Sequence, residues 1–152
     1  MSLEGQYEPS TWDFVRDQVS RYEATGGREG GIHDGRPVVV LTTRGAKTGK
    51  LRKAVLIRVE HGGRYLAVGT MGGSPTHPAW YANIRAEPRV ELQDGPVRTD
   101  MTARQLSGDE KDEWWARAVA VFPRYEEYRQ ALLGQRDIPV LLLEASAGAT
   151  AD

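Results

Sequence analysis

The chain has 152 residues, 20 Lys and Arg against 21 Asp and Glu, a net charge of −1 and 39% hydrophobic residues. That length and balance predict one globular domain with a sizeable core and exclude a generally cationic nucleic-acid binder. The absence of cysteine excludes disulfides, thiolate metal sites and a cysteine nucleophile, and with no signal-peptide pattern or membrane-length apolar run, a cytoplasmic location is expected.

In chain order, Ser10–Ala24 has the spacing of a helix, with Ser10 and Asp13 as a capping box and Trp12, Val15, Val19 and Tyr22 as the apolar face. Thr25 to Gly35 follows as a polar linker with five glycines. Such a tether leaves the helix free to move as a lid or to pack on the core. Val38–Thr43 and Ala54–Val59 are β-branched runs that predict two strands. Between them, Arg44, Lys47, Lys50, Arg52 and Lys53 share ten residues with Gly45 and Gly49. Glycine lets backbone amides approach a ligand, and lysine and arginine supply charged donors, so this turn reads as a socket for a multiply charged anion. A solvated basic hairpin fits the same spacing. A nucleotide P-loop does not: three residues separate the glycines, Leu51 follows Lys50, and a strand follows in place of a helix.

His61–Arg64 predicts a turn and Tyr65–Thr70 a third strand. Met71–Pro78 is a loop rich in glycine and proline that feeds a short helix, Ala79–Ala86, ended by Glu87-Pro88. Pro78 suits that helix's first turn, and the free amides beside Gly72-Gly73 make a second candidate site for an anion or carbonyl. Arg89–Gln93 and Val97–Gln105 form a hairpin through Asp94-Gly95-Pro96. Ser107 and Glu110 make a capping box for a helix carrying Trp114, Trp115, Ala118, Val119 and Phe122. Pro123 interrupts it, and Arg124–Leu133 continues with Tyr125 and Tyr128 on one side. Val140–Leu143 is wholly apolar and predicts a central strand; Ala145 onward is small and polar and predicts disorder. Six strands with hairpin connections and about three flanking helices predict an α+β fold, a small antiparallel six-stranded barrel. The expected divisions are residues 1–36 (helix and glycine-rich linker), 37–144 (barrel) and 145–152 (tail).

Four stretches together resemble the deazaflavin-dependent nitroreductase and quinone reductase family, actinobacterial split-barrel proteins that use coenzyme F-420. They are Leu41 to Arg52, Gly72-Gly73 with His77 to Asn83, Ala86-Glu87-Pro88, and Phe122 to Tyr128 with Ile138-Pro139. The resemblance implies a split β-barrel and a bound deazaflavin. In it, Lys47, Thr48, Gly49 and Arg52 would hold the phosphate and acidic tail. Met71, Gly72 and Gly73 would supply backbone near the ring, while His77, Pro78, Trp80 and Asn83 border the cleft. Tyr125 and Tyr128 match tyrosines on the substrate side and are the catalytic candidates. Relatives often place Asn-Pro where this chain has Ala54-Val55, and tyrosine where it has Phe122.

A deazaflavin owns the difficult step, so the protein needs no triad. Tyr125 or Tyr128 can donate to the anion developing on a quinone or nitro group, or can simply pack on the barrel. The three histidines lack metal-ligand spacing, so no metal is expected. The expected activity is hydride transfer from reduced coenzyme F-420 to a quinone, nitroaromatic or similar acceptor. A flavin mononucleotide enzyme and a non-catalytic deazaflavin binder are the alternatives, the first disfavoured because one phosphate needs fewer cations. Expected partners are the acceptor and a second copy in a homodimer. No nucleic acid is expected, and membrane contact is at most peripheral, through Tyr7, Trp12, Phe14 and Val15. Removal of residues 1–25 is expected mainly to raise KM for a bulky acceptor.

Overall fold

The β-branched and leucine-rich runs pair into one curled antiparallel sheet. The computed structural model describes residues 3–146. Its strands are β1 (Ile32–His33), β2 (Arg36–Arg44), β3 (Leu51–Ile57), β4 (Glu60–His61), β5 (Arg64–Val68), β6 (Arg89–Asp94), β7 (Val97–Gln105) and β8 (Val140–Ala145). The helices are α1 (Asp13–Thr25), α2 (Ala79–Ala86), α3 (Gly108–Val121) and α4 (Arg124–Ala131), with a 3-10 turn at Met71–Gly73. The order is β1-β2-β6-β7-β8-β5-β4, with β3 on β2. This is the expected α+β half-barrel; the strands beyond the predicted six are the two-residue β1 and β4, and Pro123 separates α3 from α4 to give four helices.

One bent stretch draws the sheet into a ring. Before Arg58, β3 pairs with β2; after Val59, β4 pairs with β5. The bend is held by Asp94, whose Oδ2 accepts from Arg58 Nε at 2.9 Å and from the Tyr65 hydroxyl at 2.5 Å. Alternation then sorts the side chains into two cores. Val39, Leu41, Leu92, Met101, Leu141 and Leu143 gather with Trp80 and Ile84 of α2. Val38, Val40, Leu66, Val140 and Leu142 gather with Val19 and Tyr22 of α1, Trp114 of α3 and Tyr125 of α4. β2 and β8 are thus covered on both faces, which explains their unbroken apolar runs.

Several local expectations are corrected. Trp12, not Ser10, precedes α1, and no side chain caps it. Ser10 Oγ instead accepts the Trp12 N–H, and Arg16 holds the Asp13 carboxylate at 2.6 Å. Trp12 is 55% exposed and stacks on exposed Phe14, so it leaves the apolar face. The box at Ser107 is also unformed, because Arg104 takes both oxygens of Glu110 at 2.8 and 2.9 Å. Pro78 occupies the extended position before α2 and not its first turn. The third strand stops at Val68, and Arg44, Arg52 and Lys53 lie in strands, which shortens the basic turn to residues 45–50. Ala145 ends β8, and Ser146 N–H donates to Asp100 O at 3.1 Å; the rest of the expected disordered tail lies outside the described residues. Nor does α1 hang free on its linker. The Tyr22 hydroxyl, on a 1% exposed residue, donates toward Val38 O (3.1 Å) and Gln93 O (3.3 Å) and accepts from Gly95 N–H at 2.7 Å.

Candidate functional site

The basic turn is tied to α2, the glycine turn leads into α2, and α4 packs against the glycine turn, so the four are taken together as one strip. At one end, Asn83 of α2 is buried; its Oδ1 accepts the Ala46 N–H at 2.9 Å and its Nδ2 donates to Thr43 Oγ1 at 3.1 Å. The start of the basic turn is thereby fastened to the helix. Gly45 N–H to Lys50 O (2.7 Å) and Gly49 N–H to Gly45 O (2.9 Å) close the turn. Gly49 needs its left-handed φ of 73° to do so.

Three of the five expected cations are already engaged. Arg44 donates to Gly49 O at 3.0 Å and Glu4 O at 2.6 Å; Arg52 pairs with Glu8 at 3.2 Å; Lys53 pairs with Glu23 and lies over the Tyr7 ring. Among the described residues, the Lys47 and Lys50 ammonium groups and the Lys47 and Thr48 amides have no partner. Lys47 and Thr48 are exposed, and nothing lies within 4 Å of where a Gly49 Cβ would stand. Two free charges and two free amides on an open turn suit a phosphate or carboxylate.

At the other end of the strip, Met71, Gly72 and Gly73 have φ of 47°, 63° and 84°. Gly72 faces open space, whereas a Cβ on Gly73 would meet the Tyr128 ring at 3.1 Å. Open backbone of this kind lets a flat ring come close. Tyr128 is half-buried beside the turn, but Tyr125 is 6% exposed, packed between Trp115 and Phe122, and burial pushes its hydroxyl well above the usual tyrosine range. Trp80 and Pro78 are buried too, so they back the strip and offer it little surface. His77 is exposed, edge-on to Tyr81 at 4.9 Å, and partial burial followed by the charges of Arg136 and Arg85 pushes its imidazole below the ordinary histidine value.

The sequence-predicted residues line neither of two concavities elsewhere. One of about 380 Å³ lies beside α3 and is lined by Trp115, Leu133, Arg136 and Ile138; another of about 450 Å³ lies at Arg36, Phe122 and Arg124. The candidate cofactor and catalytic residues therefore stand outside both concavities. Sequence reasoning missed Glu8, on the N-terminal strap, and Arg136, which donates to Gly69, Thr70 and Ser74 carbonyls. No periodicity marks either. The flank of the Ile138-Pro139 motif was the one clue to Arg136.

The free cations, free amides and open glycine backbone fit a cofactor with an anionic tail and a flat ring. Comparison with known proteins agrees. The profile of the F420H(2)-dependent quinone reductase family matches residues 14–145. The F420H(2)-dependent quinone reductase Rv1261c of Mycobacterium tuberculosis is 36% identical over 128 residues, covering 80% of this chain and 83% of that protein. A solved F420-H2 dependent reductase (FDR-A) is 46% identical with a TM-score of 0.67, covering 75% of this chain and all of that one. A solved chain described as a domain-swapped dimer is 43% identical with a TM-score of 0.68, covering 89% of this chain and all of that one. The chain belongs to the F420H(2)-dependent quinone reductase family.

Proposed function

We propose that this chain reduces quinones at the strip running from the basic turn to α4, with coenzyme F420 as its cofactor. Family membership makes it an F420-dependent oxidoreductase; the acceptor and the roles of individual residues are our reading. When bound, the deazaflavin supplies the hydride, so the protein has only to hold, orient and exclude water.

The observation that carries this reading is the fastening of an open, cation-bearing turn through Asn83 to α2, the helix into which the glycine turn leads. Lys47, Lys50 and the amides of Lys47 and Thr48 grip the acidic tail; Gly49 keeps their backbone exposed. Gly72 gives the ring open backbone without a side chain, with the exposed Met71 on one side and Gly73, backed by Tyr128, on the other. Tyr128, against Gly73, donates to the oxygen that gains charge on the acceptor. Tyr125 supports it from the core. Nitroaromatics present a similar flat acceptor and are secondary substrates. Flavin mononucleotide is the weaker ligand because the family is F420H(2)-dependent; the cation count no longer separates the two, since two of the five cations are free. The domain-swapped relative supports a homodimer. Among the described residues no helix is long and apolar enough to cross a membrane; exposed Trp12 and Phe14 suit at most a peripheral contact.

Fluorescence titration with oxidised F420 and with flavin mononucleotide tests the reading. Lys47→Gln with Lys50→Gln is expected to weaken F420 about ten-fold or more, as loss of two charge-assisted contacts implies. An unchanged affinity in the double variant removes the turn from the site.

A further inference from the structure

The hydride-transfer reading leaves Arg136 without a role, yet its guanidinium is the most heavily used in the strip. Nε donates to Ser74 O at 3.0 Å, Nη1 to Gly69 O at 3.0 Å and Nη2 to Thr70 O at 2.9 Å, while Nη1 also lies 2.9 Å from His77 Nδ1. The three carbonyls flank Met71–Gly73 on both sides. That turn holds Met71 at φ 47°, a conformation side-chain-bearing residues avoid, so it needs an external brace.

The contact with His77 carries further information. Guanidinium nitrogens have protons and no lone pair to offer, so His77 Nδ1 must be the acceptor. The single ring proton then sits on Nε2, the nitrogen without a partner among the described residues. The other neutral tautomer would point Nδ1–H at an Arg136 N–H, donor against donor, and a second ring proton would set two cations face to face. The groups around the ring are Arg136 from the segment after α4, and Arg85 and the Tyr81 ring from α2. None is a carboxylate that would favour the charged imidazole.

We infer that Arg136 is a positioning residue of this site: it braces the glycine turn from behind and fixes His77 as a neutral Nε2–H donor at the turn's rim. The donor suits a carbonyl oxygen, on the cofactor ring or on the acceptor. The ligand's identity rests on the function proposed above; the brace and the tautomer do not.

The test uses the ligand-free full chain first. Histidine side-chain ¹⁵N–¹H spectra are recorded from about pH 5 to 8, the range over which an ordinary histidine titrates. Wild type, Arg136→Gln, Arg136→Lys and His77→Gln are compared, the last assigning His77 among three histidines. In wild type, His77 is expected to show one Nε2–H tautomer and to resist protonation. In Arg136→Gln its titration should move up toward the ordinary histidine value and its tautomers should mix. Arg136→Lys keeps the charge but loses the fork, so it should also mix the tautomers; it carries the test if the glutamine variant does not fold. F420 affinity is then expected to fall about ten-fold in both Arg136 variants and about three-fold in His77→Gln. Unchanged His77 spectra in a folded Arg136 variant, or a lysine variant equal to wild type in both readouts, overturns the inference. If wild type fails to bind F420, the proposed function falls, while the histidine spectra still decide the role of Arg136.

Discussion

Tyr125 and Tyr128 lie three residues apart in α4 and match the same motif, yet their surroundings separate them. Tyr125 is sealed among Trp115 and Phe122, with its hydroxyl held protonated by burial; Tyr128 stands against Gly73 at the open strip. Tyr128→Phe is therefore expected to lower kcat/KM for a model quinone about ten- to hundred-fold, the scale of losing a donor to a developing oxyanion. Tyr125→Phe should leave it within about two-fold, since no reacting atom reaches a buried hydroxyl. Steady-state rates with menadione check this; equal losses in both variants would sink the assignment. The residue types of the site were legible in the sequence because their motifs are local. Their division into surface and backing was not, since burial of Trp80, Pro78 and Tyr125 depends on strands far away in the chain.

Among the elements, the six main strands could be read from β-branched and leucine-rich runs and, for β6 and β7, from the turn residues Asp94-Gly95-Pro96 between them, whereas the helix caps could not. The first capping box failed because α1 starts at Asp13 behind Trp12, with Asp13 on Arg16; in the second, Ser107 keeps its place but Arg104 takes the Glu110 carboxylate. The N-terminal strap was equally hidden. Its Tyr7 forms a parallel bridge with Leu51, and its Glu8 carboxylate sits on Arg52, one of the cations assigned to the cofactor tail. An anionic tail that engages Arg52 must first displace Glu8. Glu8→Gln should therefore tighten F420 about two- to five-fold, because a half-exposed ion pair is worth about 0.2–1 kcal/mol. Titration at low and high salt checks it, the gain shrinking as salt rises. No gain at low salt would place Arg52 outside the tail site.

For the whole molecule, Asp94 is where the ring closes, and its partner Tyr65 makes that closure sensitive to alkali. Burial first, then the bond to Asp94, push the Tyr65 hydroxyl from 10.0 up to about 12. Because the folded state favours the protonated phenol, its contribution is complete below about pH 10 and is lost as pH rises toward about 12. Urea midpoints of wild type should accordingly exceed those of Tyr65→Phe at pH 8, and the gap should narrow between pH 10 and 12. A gap that stays constant over that range would break the assignment. The barrel class was readable from hairpin-length connections; the bend at Arg58 was not, because Asp94 lies 36 residues away.

The outer side of β3 gives the N-terminal segment a second task. β3 has β2 on one side only, and Tyr7 and α1 lie along the other. Loss of the first 25 residues removes Val19 and Tyr22 from the core and strips that side to bare amides and carbonyls. The result is a sticky ribbon that recruits further copies and precipitates, so the poorer turnover expected of the shortened chain would reflect missing enzyme more than a weaker grip on bulky acceptors.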